Sequence, residues 1–388
     1  MMTMQWRCLC HLDSHSLHCY TNGVSSFEVA ARSISIESHP DADAIEIAKI
    51  NGTEYVSIVR KDAEMKTGDV VIYIPEQAIV PESILREMGL WDDEKGKGGL
   101  AGSKGDRVKA IRLRGVLSQG LVYVPNDRLG ELELGKNYAA DLGIEKWIPV
   151  VPTSMSGKAA PYADMVTYTE IENIKNFPGV LIDGEEVIAS EKVHGSCCVL
   201  RLDASGFHVS SKGMSGKSLE LLEEVDESGQ HKNAYWRVAR QLDIPTKLEE
   251  MRDALGDPAA VSLYGEVYGD GIQDLHYGPK GGIDFIAFDV MVENGGVRRY
   301  LDFDESRQLV EGVGLRFVPE LYRGPYTRDV IWATASGKEQ ISGREVHLRE
   351  GVVVKPVHER IDPRMGRVVL KFVSDDYLLR KGAATEYE

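Results

Sequence analysis

Short apolar stretches separated by turn residues recur through the first third of the chain. Residues 27–36 alternate loosely between apolar and polar positions, and residues 45–50, 55–59 and 70–74 are rich in Ile and Val. Between them lie Ser38-His39-Pro40-Asp41-Ala42-Asp43 and Asn51-Gly52. Such runs bounded by turn clusters predict strands, and Asn-Gly predicts a hairpin. Helical spacing first emerges over 82–90. Many short strands at this spacing predict a small barrel or sandwich. Residues 142–165 carry Pro149, Pro152 and Pro161 among small residues, which predicts a linker and a boundary near 145–160. Beyond it, strands are expected within 184–202, broken near His194-Gly195, and at 207–211, 261–267, 283–292, 351–357 and 367–373. Helices are expected at 218–225, 233–242 and 247–255, with Glu220, Glu223 and Glu224 on solvated helix faces. The pattern is α+β and dominated by sheet.

One segment breaks the charge balance. The chain has a formal net charge of -16, yet residues 95–128 hold eight Lys/Arg against two Asp. Arg107, Lys109, Arg112 and Arg114 alternate with apolar residues, which puts them largely on exposed positions of a strand or two. Two readings stand equally here: an edge strand protected by charge, or a surface that contacts a phosphate backbone.

Composition adds limits. The 388 residues suit two or three domains, and 43% hydrophobic with 27% charged content is that of a soluble globular protein. No run approaches the length of a membrane span. The five cysteines are irregularly spaced, which argues against a disulfide framework and for a reducing, cytoplasmic compartment. Cys8, Cys10, Cys19, His11, His15 and His18 are zinc-ligand types, but their spacing matches no familiar zinc motif. Residues 1–25 read as a poorly ordered extension.

The candidate chemistry centres on Ser190-Glu191-Lys192-Val193-His194-Gly195-Ser196, where Lys192 follows an apolar run. A lysine amine becomes a nucleophile once it loses its proton, which burial and neighbouring cations promote. Gly195 is expected to leave room for something bulky beside the chain. Four later strands carry further chemistry: Glu266 inside an apolar run, Phe288, Glu350-Gly-Val-Val-Val-Lys355, and Lys371 amid apolar residues. Singly, each is a charge at a strand end or on the wet side of a sheet. Together they supply what nucleotidyl transfer needs: a nucleophile, a carboxylate for ribose, an aromatic face for a base, a carboxylate for a divalent cation, and cations for phosphate. Lys355 and Lys371 would also depress the Lys192 pKa by like-charge repulsion. Cys197 and Cys198 read as buried strand residues.

In this order, Lys192-Val-His-Gly, Glu266, Phe288, Glu350-Gly-Val-Val-Val-Lys355 and Leu-Lys371 resemble the covalent nucleotidyltransferases: RNA ligases, DNA ligases and mRNA capping enzymes. His194, where DNA ligases usually carry Asp, makes the chain more similar to nick-sealing RNA ligases. Ser38-His-Pro-Asp-Ala-Asp43 and Leu113-Arg-Gly-Val-Leu-Ser-Gln-Gly-Leu121 are similar to the N-terminal OB-type module of Deinococcus-type RNA ligases. The resemblance implies an OB-like β-barrel module over 26–148 and an antiparallel-sheet nucleotidyltransferase (ATP-grasp-like ligase) domain over 149–388. The 17 residues after Lys371 leave no room for the OB domain that DNA ligases and capping enzymes normally place there.

The resemblance also implies roles. Lys192 would carry AMP, Glu191 and Phe288 would meet adenine, and Glu266 the ribose. Glu350 would serve the metal, and Lys355 and Lys371 the phosphates. Lys212 stands where many relatives have Arg, His194 and Gly195 complete the nucleotide site, and Val369 replaces the first lysine of the usual last motif. Arg107, Lys109, Arg112 and Arg114 would contact nucleic acid. The implied cofactors are ATP and Mg2+ or Mn2+. The implied partner is a nicked RNA or RNA/DNA duplex, met by a cytoplasmic monomer off the membrane. The rival readings are a DNA ligase, a capping guanylyltransferase, or a non-catalytic RNA-binding OB protein.

Overall fold

The computed structural model describes residues 27–126, 129–149, 153–278 and 281–380. The cysteine- and histidine-rich stretch before residue 20 lies outside them.

The N-terminal β-branched runs form strands Ala30–Ser38, Ile45–Ile50, Val56–Arg60 and Val70–Ile74, joined by Leu121–Tyr123. They make one five-stranded antiparallel sheet. Ala30–Ser38 pairs with Val70–Ile74 through its first half and with Ile45–Ile50 through its second, so it bends the sheet toward closure. Closure comes from Gln119 N–H donating to the Val56 carbonyl (2.8 Å) and Ser57 Oγ donating to the Gly120 carbonyl (3.2 Å). Gly120 allows this approach, because a Cβ there would lie 2.5 Å from the Tyr73 ring. Ile34, Ala48, Ile50, Val71 and Tyr73 fill the interior. The result is a nearly closed barrel, one of the two forms expected from the strand pattern, and OB-like as the resemblance implies.

The C-terminal half stacks two five-stranded sheets. One runs, in spatial order, Glu172–Asn173, Leu370–Val373, Gly351–Pro356, Glu186–Glu191 and Glu320–Pro325. The other runs Gly206–Ser211, Ser196–Asp203, Ala260–Gly269, Ile283–Asn294 and Val297–Tyr300. Pairing is antiparallel except at the two-residue edge Glu172–Asn173, which runs parallel to Leu370–Val373. Helices Ala234–Gln241 and Ile244–Ala254 cover the second sheet. The first is capped by Asn233, whose side chain accepts from the Tyr235 and Trp236 amides.

The helix expected over 218–225 is not there. Leu219–Leu221 is a short strand paired with Ala159–Pro161. Ser218 sits at φ 54°, a turn conformation that interrupts a helix, and Leu221 points into the core. The three glutamates are not a solvated helix face. Glu220 meets His208 (2.5 Å), Glu223 meets Arg240 (2.6 Å) and Glu224 meets Lys158 (2.8 Å).

The two halves touch through a buried cation. Lys175 donates to Gln119 Oε1 of the barrel at 2.5 Å, and its carbonyl accepts the Glu54 amide at 2.8 Å. Its ammonium also faces the Phe372 ring at 5.2 Å. Burial pushes the Lys175 pKa down. Arg112 meets Asp375 at 3.4 Å, and Arg328 meets Glu54 at 3.2 Å.

Candidate active site

Between the two C-terminal sheets lies a cavity of about 120 Å³ lined by Glu191, Lys192, Lys212, Glu266, Phe288, Lys355 and Lys371, with Tyr168, Glu170, Cys197 and Val353. Strand pairing explains the convergence. The Lys192 amide donates to the Gly351 carbonyl at 3.0 Å, which sets Lys192 beside Glu350. Lys192 Nζ donates to Glu350 Oε1, and the Glu350 side chain is fully buried.

Glu191 is 1% exposed. One carboxylate oxygen accepts the Gln340 amide at 2.7 Å, and the other has no hydrogen-bond partner. Burial pushes its pKa up to about 7, against the Gln340 amide and Arg349. An unpartnered buried acceptor in a cavity wall suits a ligand that brings an N–H. Glu266 stands opposite Cys197 in the second sheet. Burial in the pocket wall raises its pKa to about 8, with Lys192 opposing the rise and Glu350 adding to it. Phe288 is held edge-on by Tyr168, ring centroids 4.9 Å apart, and offers the cavity an aromatic surface.

Two family models match the chain: RNA ligase over residues 185–373 and an OB-fold domain over residues 29–125. Solved structures of Naegleria gruberi RNA ligase match over most of the chain. An apo aspartate-to-alanine mutant is 26% identical with a TM-score of 0.71, covering 92% of this chain and 98% of that one. A lysine-to-alanine mutant with ATP and Mn is 26% identical at TM-score 0.70, covering 90% and 97%. A structure with PPi is 27% identical at TM-score 0.70, covering 92% and 98%. No curated protein matches.

Residues 185–373 form an RNA ligase domain.

The chain is an enzyme, an RNA ligase with an N-terminal OB-fold module. In this ligase the residues singled out from sequence divide into three groups. Lys192, Glu191, Glu266, Phe288, Lys212 and Lys371 all line the cavity. Lys212 opens the short helix Lys212–Ser215 and pairs with Glu170 at 2.7 Å. Lys355 reaches the cavity wall, but its ammonium is held at 2.7 Å by Asp289. Burial lowers the Lys355 pKa, with Asp289 opposing the fall. Asp289 also accepts from Arg367 and from Tyr168, each at 2.7 Å.

His194 and Gly195 form the second group, behind the cavity wall. His194 is 1% exposed. Its Nε2 is 2.6 Å from Asp274, and its Nδ1 is 3.2 Å from Glu350 and 3.0 Å from the Tyr377 hydroxyl. Burial disfavours the charged ring, yet the Asp274 and Glu350 carboxylates outweigh it and raise the His194 pKa. The expectation that Gly195 leaves space for a bulky neighbour is corrected. A Cβ there would lie 2.3 Å from the Val267 carbonyl and 2.7 Å from Glu266, so the glycine lets two backbones pack together.

The third group is the basic segment 107–114. Arg107 and Lys109 are half-buried rather than exposed. The Arg107 guanidinium covers Trp147 at 4.2 Å, and Lys109 donates to the Arg380 carbonyl at 3.4 Å. Arg112 is exposed but turned toward Asp375. Arg114 occupies the tip of the hairpin formed by Ile111–Leu113 and Val116–Ser118, with φ 45° followed by Gly115 at 87°. Exposed Ile111 and Leu113 flank it.

Cys198 is buried, but Cys197 lines the cavity instead of being enclosed in the core. Sequence reasoning missed Tyr168, Glu170, Asp274, Asp289, Tyr377 and Arg380. The alternation in Tyr168-Thr169-Glu170-Ile171 was the one available signal. Among the described residues, no group of three His, Cys, Asp or Glu side chains could hold a metal ion by itself. Among the described residues, no helix is long and apolar enough to cross a membrane.

Proposed function

We propose that this ligase uses ATP to join 3′-OH and 5′-phosphate ends at a nick in duplex RNA or RNA/DNA, through AMP bound covalently to Lys192. The observation that carries the proposal is the convergence of Lys192, Glu191, Glu266, Phe288, Glu350 and Lys371 on one site. The relatives solved with ATP and Mn, with AMP and Mn, and with PPi support the same substrate class.

The unpartnered Glu191 oxygen would accept from the adenine amino group while Phe288 stacks on the ring. Glu266 would hold a ribose hydroxyl. The Lys192 amine attacks the α-phosphorus, the bond to pyrophosphate breaks, and the amine loses a proton. Glu350 Oε1, which already accepts a hydrogen bond from that amine, is placed to take the proton. The AMP then passes to a 5′-phosphate, and attack by the 3′-OH releases it. Each step is a displacement at phosphorus, so alignment and charge neutralisation dominate. Glu350 would hold Mg2+ or Mn2+ alongside the phosphates, and the cation would neutralise their charge. Lys371 and Lys212 would add positive charge, while Lys355 serves through its pair with Asp289.

We place the division between the two modules near residues 148–149. The working form is taken as a cytoplasmic monomer.

The test is to incubate the protein with α-labelled ATP and Mn2+ and resolve it on a denaturing gel. Wild type is expected to take the label and Lys192→Ala to lose it. An unlabelled wild type, or a labelled Lys192→Ala, overturns the assignment. Sealing assays on RNA nicks, all-DNA nicks and mixed nicks, with a labelled-GTP control, separate this reading from a DNA ligase or a capping guanylyltransferase.

A further inference from the structure

Glu350 spends both its oxygens on neighbours. Lys192 donates to one, and the buried His194 ring lies 3.2 Å from the other. The orientation of Glu350 therefore depends on what holds His194. Outside the cavity wall, Asp274 lies 2.6 Å from His194 Nε2. One Arg380 guanidinium nitrogen in turn donates to Asp274, lying 2.8 and 2.9 Å from its two oxygens. Arg380 follows the helix Asp375–Leu378, and its guanidinium packs over Tyr377 at 3.7 Å. Neither Asp274 nor Arg380 lines the nucleotide cavity.

We propose that Asp274 and Arg380 are positioning residues for the transfer step, bracing His194 so that Glu350 stays aimed at Lys192 and its metal-bound substrate. The proposal rests on the lysyl-AMP reading given above. A carboxylate turns easily about its last bond, and an imidazole held at one nitrogen can tilt. Held at both nitrogens, the ring is fixed in its plane, and the carboxylate beyond it is fixed too. The Asp274 side chain is 42% exposed, so its ion pair with Arg380 contributes little to stability by itself. Its consequence is geometric. Lys109 of the N-terminal module donates to the Arg380 carbonyl, which anchors the brace from the other domain.

The test uses the full chain and single-turnover lysyl-AMP formation, with ATP and Mn2+ varied separately. Arg380→Ala and Asp274→Asn are expected to slow the step and raise the Mn2+ requirement, by roughly 10- to 100-fold as for other residues that orient a metal ligand. The KM for ATP should stay within about twofold, because the base and ribose contacts are untouched. Arg380→Lys should recover much of the rate, and the melting temperatures should match wild type. Wild-type rates and Mn2+ dependence in both variants overturn the role. So does a loss that tracks a lowered melting temperature and is not recovered by Arg380→Lys. A wild type that takes no label overturns the lysyl-AMP reading itself, and this role with it; a labelled wild type with unaffected variants overturns this role alone.

Discussion

Lys192 and Glu350 meet across 158 residues of sequence, and the Glu350 carboxylate that accepts from the lysine also faces His194. Removing the carboxylate should therefore do more than remove a charge. Glu350→Ala takes one acceptor from the Lys192 amine and one from the His194 ring. Lysyl-AMP formation is expected to fall by about 10²- to 10³-fold, the usual cost of losing one preorganised electrostatic contact. Glu350→Gln keeps the shape and loses the charge. A comparable fall in Glu350→Gln, measured by single-turnover labelling, identifies the charge as the essential property.

Glu191 makes stability depend on pH. Its folded pKa of about 7 lies above the ordinary 4.5, so between those values the folded chain keeps a proton that the unfolded chain releases. The resulting stabilisation is complete below pH 4.5 and is lost as pH rises through 7. The full effect is about 3 kcal/mol. Urea unfolding of the nucleotide-free ligase at pH 5 and pH 8 should show a smaller loss in Glu191→Gln than in wild type. Equal losses in the two proteins would argue against a buried, proton-holding Glu191.

Asp289 is the hub of a buried charge cluster. It is fully buried and accepts from Lys355, Arg367 and Tyr168. Asp289→Ala strands Lys355 in the interior and leaves Arg367 to Glu359 alone, which should cost about 3–5 kcal/mol. Asp289→Asn keeps a polar partner and should cost less. Chemical denaturation of the two variants gives the comparison. A wild-type midpoint for Asp289→Ala would mean that water reaches Lys355 and Arg367.

These side chains differ in how far the sequence reveals them. Ile45–Ile50 and Val70–Ile74 were readable to the residue, because β-branched runs between turn clusters have few other uses. Lys192, Glu266 and Lys371 were readable because each interrupts or ends an apolar strand, Phe288 because it adds an aromatic face, and together they fit one chemistry. Residues 218–225 misled, since Leu219, Leu222 and Val225 fit a helix face as well as Leu219 and Leu221 fit a strand. Asp274 and Arg380 left no local trace. One lies in a loop and the other after the last helix, and only tertiary packing brings them to His194. The alternation at 107–114 predicted one or two exposed strands, but only Ile111–Leu113 is a strand there, and it could not show that Arg112 and Lys109 are spent on the other domain.

That division of labour among the basic residues yields the last prediction. Arg114 is exposed at a hairpin tip beside Ile111 and Leu113, whereas Lys109 and Arg112 bridge to Arg380 and Asp375. If the hairpin holds the nicked duplex, Arg114→Ala should reduce nick sealing more than lysyl-AMP formation. It should also lower the slope of log affinity against log salt by about one phosphate contact. Arg112→Ala should instead act through the joint, shifting thermal unfolding of the two modules with less effect on the salt slope. Binding of a labelled nicked duplex across a salt series, with melting curves for both variants, distinguishes the two. An unchanged slope in Arg114→Ala would move the contact surface away from the hairpin.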